Sequence, residues 1–393
     1  MDMSAQTFDG DRVDTVIVGA GQAGLATGYY LAAQGRDFVI IDGHERVGEA
    51  WRRRWDSLRL FTPAAYDGLP GMPFPAPPHN YPTKDDMAAY LEAYAARFSL
   101  PLVLRTVVTR LVRHETGYVL GAERRRIEAK HVVVATGAFH RPRVPAFASA
   151  LDTRIRQLHS SQYRSPGHLE DGSVLVVGAG NSGAEIALDV ARHHPTWLSG
   201  RDTGRLPLLL RGQGFRGRLF RWLASDGLTV DRSIGRAVKR HELTHGAPLI
   251  QLRQADLTAA GIRRVPRTVG IRHGLPVLED GSVIDVANVI WCTGFRADFA
   301  WIDLPVFGSQ GHPVHFRGVV EGAPGLYFVG LPFLYSLSSS TVDGVGRDAE
   351  YVAQHLSGPP NALAPGWRPE PVLRSHRPLM PATAFDTIDE VRR

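Results

Sequence analysis

Two copies of a Gly-x-Gly-x-x-Gly fingerprint, about 160 residues apart, constrain this chain more than any other feature. The first is Gly19-Ala20-Gly21-Gln22-Ala23-Gly24 and the second is Gly178-Ala179-Gly180-Asn181-Ser182-Gly183. Each follows a short apolar run and opens a helix-like stretch. In such a strand–turn–helix unit the first glycine makes the tight turn. The second lets the backbone approach a pyrophosphate, and the third lets the helix pack closely on the strand. One copy is a weak signal in a chain with 41 glycines. Two copies in the same setting imply two dinucleotide sites in one α/β protein.

In the first unit, Val16-Ile17-Val18 reads as a buried parallel strand. A helix follows from about Gln22 to Gln34, with Gly35 as its stop. Its amino end offers free N–H groups and a partial positive charge to a phosphate. Phe38 to Ile41 form the next strand, which Asp42 ends. An acid about 20 residues beyond the glycines binds ribose hydroxyls and repels a 2′-phosphate, so this site suits FAD or NAD. In the second unit, Val174 to Val177 lead into the turn, Glu185 to Ala191 continue as helix, and Trp197-Leu198 form the next strand. No acid stands where Asp42 stood. Ser199 and Arg201 are there instead, and an arginine pairs with phosphate by charge and bidentate bonds, which predicts NADPH.

An internal repeat supports the same reading. Val132 to Val134 run into Thr136-Gly137, and Val289 to Cys292 run into Thr293-Gly294, each closing the stretch after one fingerprint. A third such strand, Leu326 to Gly330, has no fingerprint and is expected to return the chain to the first domain. This gives an α/β fold of two Rossmann-like dinucleotide-binding domains, with the NADPH domain inserted in the FAD domain: residues 1–150, then 151–295, then 296–393. Ser338 to Thr341 precede a helix over Val342 to His355, whose amino end, with Gly344 and Gly346, suits close approach to a flavin. Thr83 caps a helix reaching Arg97, and Pro63 to Pro82 is too proline-rich for helix. Phe215 to Leu223 is basic and aromatic, which suits a surface or substrate-side helix ahead of contact with a membrane surface, and the tail from Ser357 onward is proline-rich.

Composition narrows the function classes. The net charge is +6, but Lys84, Lys130 and Lys239 are the only lysines and the arginines are scattered, so nucleic-acid binding is not expected. No apolar run approaches the ~20 residues of a membrane span, so no stable membrane insertion is expected. The polar start, Met1 to Arg12, does not resemble a secretory signal, which makes a cytoplasmic location the expectation. A single cysteine, Cys292, provides no C-x-x-C redox pair, and the histidines lack metal-ligand spacing, so no metal is expected. The oligomeric state stays open between monomer and homodimer.

With these residues in place, the chain resembles the class B flavoprotein monooxygenases, which include the flavin-containing, YUCCA-type and Baeyer–Villiger enzymes. The resemblance runs from about Val13 to His355. Gly48 and Trp51 look like the family's Gly-x-x-Trp segment near the flavin, and Trp51, Trp55 and Thr62 are candidates for the flavin wall. The family's linker signature, F-x-G-x-x-x-H-x-x-x-[YFW], is matched by His159 and Tyr163, while Thr153 and Ile155 stand where Phe and Gly belong. The resemblance implies FAD and NADPH as cofactors, and a small-molecule substrate and O2 as reactants. NADPH reduces the flavin, a C4a-(hydro)peroxyflavin forms, and one oxygen atom passes to a nucleophilic nitrogen, sulfur or activated carbon. The missing half of the linker signature keeps two alternatives open: an NADPH-dependent reductase or oxidase releasing peroxide, and a non-catalytic redox or transport-linked flavoprotein. No nucleophile–base–acid set is readable, so the candidate site is a cofactor site: Gly19, Gly21, Gly24, Asp42, Gly48, Trp51, Thr62, Thr136, Gly137, His159, Gly178, Gly180, Asn181, Ser182, Gly183, Ser199, Arg201, Thr293, Gly294, Gly330 and Thr341.

Overall fold

A computed structural model describes residues 12–357, apart from 116, 123–124, 205–221 and 246–247. Most of the Phe215–Leu223 stretch and the tail after Ser357 therefore lie outside the described residues.

The chain begins with β1 (Arg12–Val18), α1 (Gln22–Ala33) and β2 (Phe38–Ile41). β2 is buried along its whole length and β1 along most of it, the pattern of strands covered on both faces. Gln34 caps α1 and Gly35 turns the chain at φ +66°. After a short α2 (Glu49–Arg52), α3 (Lys84–Arg97) starts with a reciprocal capping box between Thr83 and Asp86. The proline-rich segment before it holds one 3₁₀ turn, Ala64–Tyr66.

β3 (Leu102–Val103), β4 (Val108–His114), β5 (Gly117–Ala122) and β6 (Arg125–Val134) follow. β6 organises the first sheet because it is long enough to serve different neighbours along its length. Arg125 to Ala129 pair with β5 antiparallel, and most of the strand pairs with β1 parallel. The order is β3-β2-β1-β6-β5-β4. The antiparallel pair β4–β5 was not expected from the sequence.

β7 (Arg141–Pro142) leads to β8 (Arg156–His159), β9 (Val174–Val177), α4 (Asn181–Val190) and β10 (Thr196–Ser199). Then come α5 (Ser233–His245), α6 (Gln254–Ala259), β11 (Arg263–Val265), the hairpin β12 (Thr268–Arg272) and β13 (Leu275–Leu278), and β14 (Asn288–Trp291). The second sheet is parallel throughout, in the order β11-β10-β9-β14-β8. α4 begins directly after the fingerprint glycine Gly180, its N-cap, and Glu185 continues a helix already under way. β15 (Phe295–Arg296) pairs with β7 between the two sheets.

The chain then returns. β16 (Leu326–Phe328) adds parallel to Val132–Val134 of β6, and α7 (Val342–Ser357) packs on α1. The first sheet is thus built from strands on both sides of the second in sequence. Apolar residues of α1, α3 and α7 form the core on one face of it, around Leu25, Leu91, Val345 and Val352.

Candidate cofactor site

The two fingerprints fold into near-identical turns. Gly19 and Gly178 have φ of +111° and +112°, a conformation that disfavours any side chain. A Cβ on Gly24 would lie 1.8 Å from the Gly19 carbonyl oxygen, and one on Gly183 would lie 1.7 Å from that of Gly178. These glycines let helix and strand touch. The middle glycines differ: a Cβ on Gly21 or Gly180 would meet nothing within 4 Å. Each is the N-cap of its helix, with no side-chain cap and no acid in the first turn. Two helix amino ends therefore present bare N–H groups to open space, as an anion cradle requires.

Both cradles open onto one cleft of about 3090 Å³, lined by the carboxyl ends of both sheets. This exceeds the ~300–1,000 Å³ of an ordinary small-ligand pocket. The cleft is lined by Gly19, Gly21, Asp42, Gly48, Trp51, Thr62, Thr136, Gly137 and, from the return segment, Gly330 and Thr341. From the second sheet it takes Gly178, Gly180, Asn181, Ser182, Gly183, Ser199, Arg201, Thr293 and Gly294. Thr136 Oγ1 and Thr203 Oγ1, one on each side, are buried and have no hydrogen-bond partner among the described residues. Open cradles and orphaned hydroxyls fit two bound dinucleotides.

Several expected residues act differently in detail. Gly24 does not line the cleft; it is buried against Gly19 and Ile17. His159 also sits behind the lining. Its Nε2 lies 3.0 Å from the Gly294 carbonyl, its Nδ1 lies 2.9 Å from Ser161 Oγ, and its ring meets Phe295 edge-on. Burial lowers its pKa, so it props the Gly294 turn as a neutral imidazole. The Ser199 hydroxyl is turned inward, donating to the Pro266 carbonyl and accepting from the Thr268 N–H, both at 2.8 Å. The Asn181 amide is occupied by the backbone of Pro248 and Ile250. Tyr163 is fully buried and donates to Asp189 at 2.8 Å. Trp55 lines the cleft while packing into the core of the second sheet, and Thr62 donates to Asp67.

Asp42 holds the first cradle in shape. Its Oδ2 accepts from the Ala20 N–H at 2.7 Å, and its Oδ1 from the His44 N–H at 2.8 Å. Burial pulls its pKa up, but the bonds from His44 and Ala20 outweigh this and leave it below the ordinary value. Sequence reasoning missed Arg267, which joins Arg201 in the lining, and Glu185, whose carboxyl burial pushes to about 7. Helical spacing could have found Glu185, since it lies one turn beyond Asn181 and Ser182.

The family model of the pyridine nucleotide-disulphide oxidoreductases matches residues 16–199, spanning the first unit and the start of the second. An oxidoreductase of Geobacillus kaustophilus, described as CzcO-like, is 42% identical over 88% of this chain and 98% of its own length. The rice indole-3-pyruvate monooxygenase YUCCA1 is 31% identical, covering 80% of this chain and 86% of that protein. The chain belongs to the flavin-dependent monooxygenase family. A flavin-containing monooxygenase from Stenotrophomonas maltophilia agrees in three dimensions, with a TM-score of 0.71, 28% identity, and coverage of 88% of this chain and 98% of that one. This flavin-dependent monooxygenase is thus an oxidoreductase that uses FAD and NADPH. Among its described residues no helix is long and apolar enough to cross a membrane, and no His, Cys, Asp and Glu cluster could hold a metal.

Proposed function

We propose that the first cradle holds FAD, the second holds NADPH, and one atom of O2 passes to a small substrate with a nucleophilic nitrogen, sulfur or activated carbon. The observation that carries this reading is the pair of matching open cradles on one cleft. When bound, the flavin supplies the hydride and oxygen chemistry, and the protein supplies position. The bare N–H groups of α1 and α4 face the diphosphates. Asp42 keeps lone pairs for ribose hydroxyls while it braces Ala20. Arg267 joins the expected Arg201 as a phosphate-binding cation, since the Ser199 hydroxyl is held by Pro266 and Thr268.

Oxygen transfer needs a dry centre. Phe139 and Phe295 pack edge-to-face at 5.7 Å in the lining, with Val144 and Phe61 also on the wall. Phe139, Val144 and Phe61 are exposed on the wall, an apolar surface that bound cofactors would cover. Cys292 lines the same cleft, but burial raises its pKa and it is the chain's single cysteine, which disfavours dithiol chemistry. On this reading residues 1–150 and 296–393 make the flavin side, the latter through Gly330 and Thr341, and residues 151–295 make the NADPH side.

The test is turnover with NADPH under ¹⁸O₂ across a panel of amines, sulfides and ketones. One labelled atom in a product is the expected result. Conversion of all reducing equivalents to peroxide with every substrate would replace this reading with that of an oxidase.

A further inference from the structure

Three consecutive arginines follow Trp51, and two are accounted for. Arg52 lies 2.8 Å from Glu92 and donates to the Val47 carbonyl at 2.6 Å. Arg53 lies 3.0 Å from Glu49. Arg54 is different. Among the described residues its guanidinium meets no carboxylate and no hydrogen-bond acceptor, and its recorded neighbour is the Phe295 ring at 5.6 Å. Burial, and then the nearby charge of Arg164, lower its pKa from the ordinary guanidinium value. Arg164 brings no counter-charge, since it bonds to the backbone carbonyls of Ser161 and Tyr163. A partly buried cation without a counterion loses hydration with no compensating pair, which a purely structural role does not explain.

Position supplies the explanation. Arg54 lines the cleft and comes from the first half of the fold. It leans over Phe295, which directly follows the Thr293-Gly294 turn of the second half. The acids on the cleft wall are otherwise engaged or remote: Asp42 with Ala20 and His44, Glu49 with Arg53, Asp231 with the Tyr335 hydroxyl, while Glu185 is shifted by burial alone. We propose that Arg54 is the receptor for a bound oxyanion, a carboxylate or a phosphate, at the junction of the two cradles. A planar guanidinium with free donors matches either group by a bidentate bond. The oxyanion comes from the diphosphate of the nicotinamide cofactor or from a carboxylate on the acceptor substrate. Neither glycine cradle includes this residue, so the inference goes beyond the function proposed above.

Equilibrium binding to the FAD-loaded protein tests it without requiring oxygen transfer. Wild type, R54M and R54K are titrated with NADP⁺, with phenylacetate and with its neutral counterpart phenylacetamide, following flavin absorbance. FAD content and melting temperature report folding, and R54K keeps the charge should R54M fold poorly. R54M is expected to weaken one anionic ligand about ten- to a hundredfold, and R54K less. A loss for NADP⁺ assigns the phosphate, and a loss for phenylacetate that spares phenylacetamide assigns the carboxylate. The proposal is overturned if NADP⁺ affinity stays within about twofold and phenylacetate shows no advantage over phenylacetamide that depends on Arg54.

Discussion

Replacing Gly180 by alanine separates the cradle from the scaffold. Its φ and ψ of −76° and −172° are ordinary extended values, and the added methyl meets nothing within 4 Å. Alanine is slightly worse than glycine as an N-cap and slightly better in unfolded-chain entropy, so the net change in stability is within about 0.5 kcal/mol. The melting temperature should therefore move by no more than about 2 °C. The methyl projects where a diphosphate approaches the bare N–H groups of α4. Displacing it loses a charge-assisted hydrogen bond of about 1.5–3 kcal/mol, roughly ten- to a hundredfold in Kd. Gly183→Ala is the contrasting variant, because its Cβ would sit 1.7 Å from the Gly178 carbonyl oxygen and 3.3 Å from Cys292 Cβ. It should cost about 3 kcal/mol or more and lower the melting temperature by many degrees. Thermal melts and NADP⁺ titration of the FAD-loaded variants check both. The reasoning is refuted if Gly180→Ala binds NADP⁺ like the wild type, or if it loses binding only in step with a melting loss like that of Gly183→Ala.

Three further outcomes follow from single residues. Arg201→Ala should weaken NADPH at least about tenfold and leave NADH nearly unchanged, and an equal loss for both would remove Arg201 from the 2′-phosphate site. Burial raises the Glu185 pKa from 4.5 to about 7, so its folding contribution is fully present below pH 4.5 and declines as pH rises to about 7. Glu185→Gln should therefore match the wild type near pH 4.5 and exceed its stability by about 3 kcal/mol at pH 8, with denaturant melts at the two pH values as the check. Tyr163→Phe leaves the buried Asp189 carboxylate without its 2.8 Å donor and should cost about 2 kcal/mol, with little effect on the spectrum of bound flavin.

Much of the frame was legible in the sequence because it is local. Val16 to Val18 and Val174 to Val177 are apolar runs next to glycines whose roles depend on neighbours a few residues away. The return of Leu326 to the first sheet was legible from its likeness to the two Thr-Gly strands. What stayed hidden depends on distant partners. Ser199 looked free, yet its hydroxyl is held by Pro266 and Thr268, on a segment with no visible link to it. Asn181 is likewise engaged by Pro248 and Ile250, and His159 by Gly294. Arg54 was hidden for the opposite reason. In a run of three arginines nothing local tells which two find Glu49 and Glu92 and which one is left facing the cleft.

The return of β16 to β6 also sets an order of assembly. Leu326 pairs with Val132 only after the whole second sheet has been synthesised between them. Closing so long a loop costs little more than closing a short one, provided the intervening chain folds on its own. On the ribosome, however, the first sheet's side of the cleft lacks β16, Gly330, Thr341 and α7 until late in synthesis. The second sheet has all its strands by Trp291. A growing chain can therefore form its second cradle before its first has a full wall, and on the proposed assignment flavin capture becomes the later of the two binding steps.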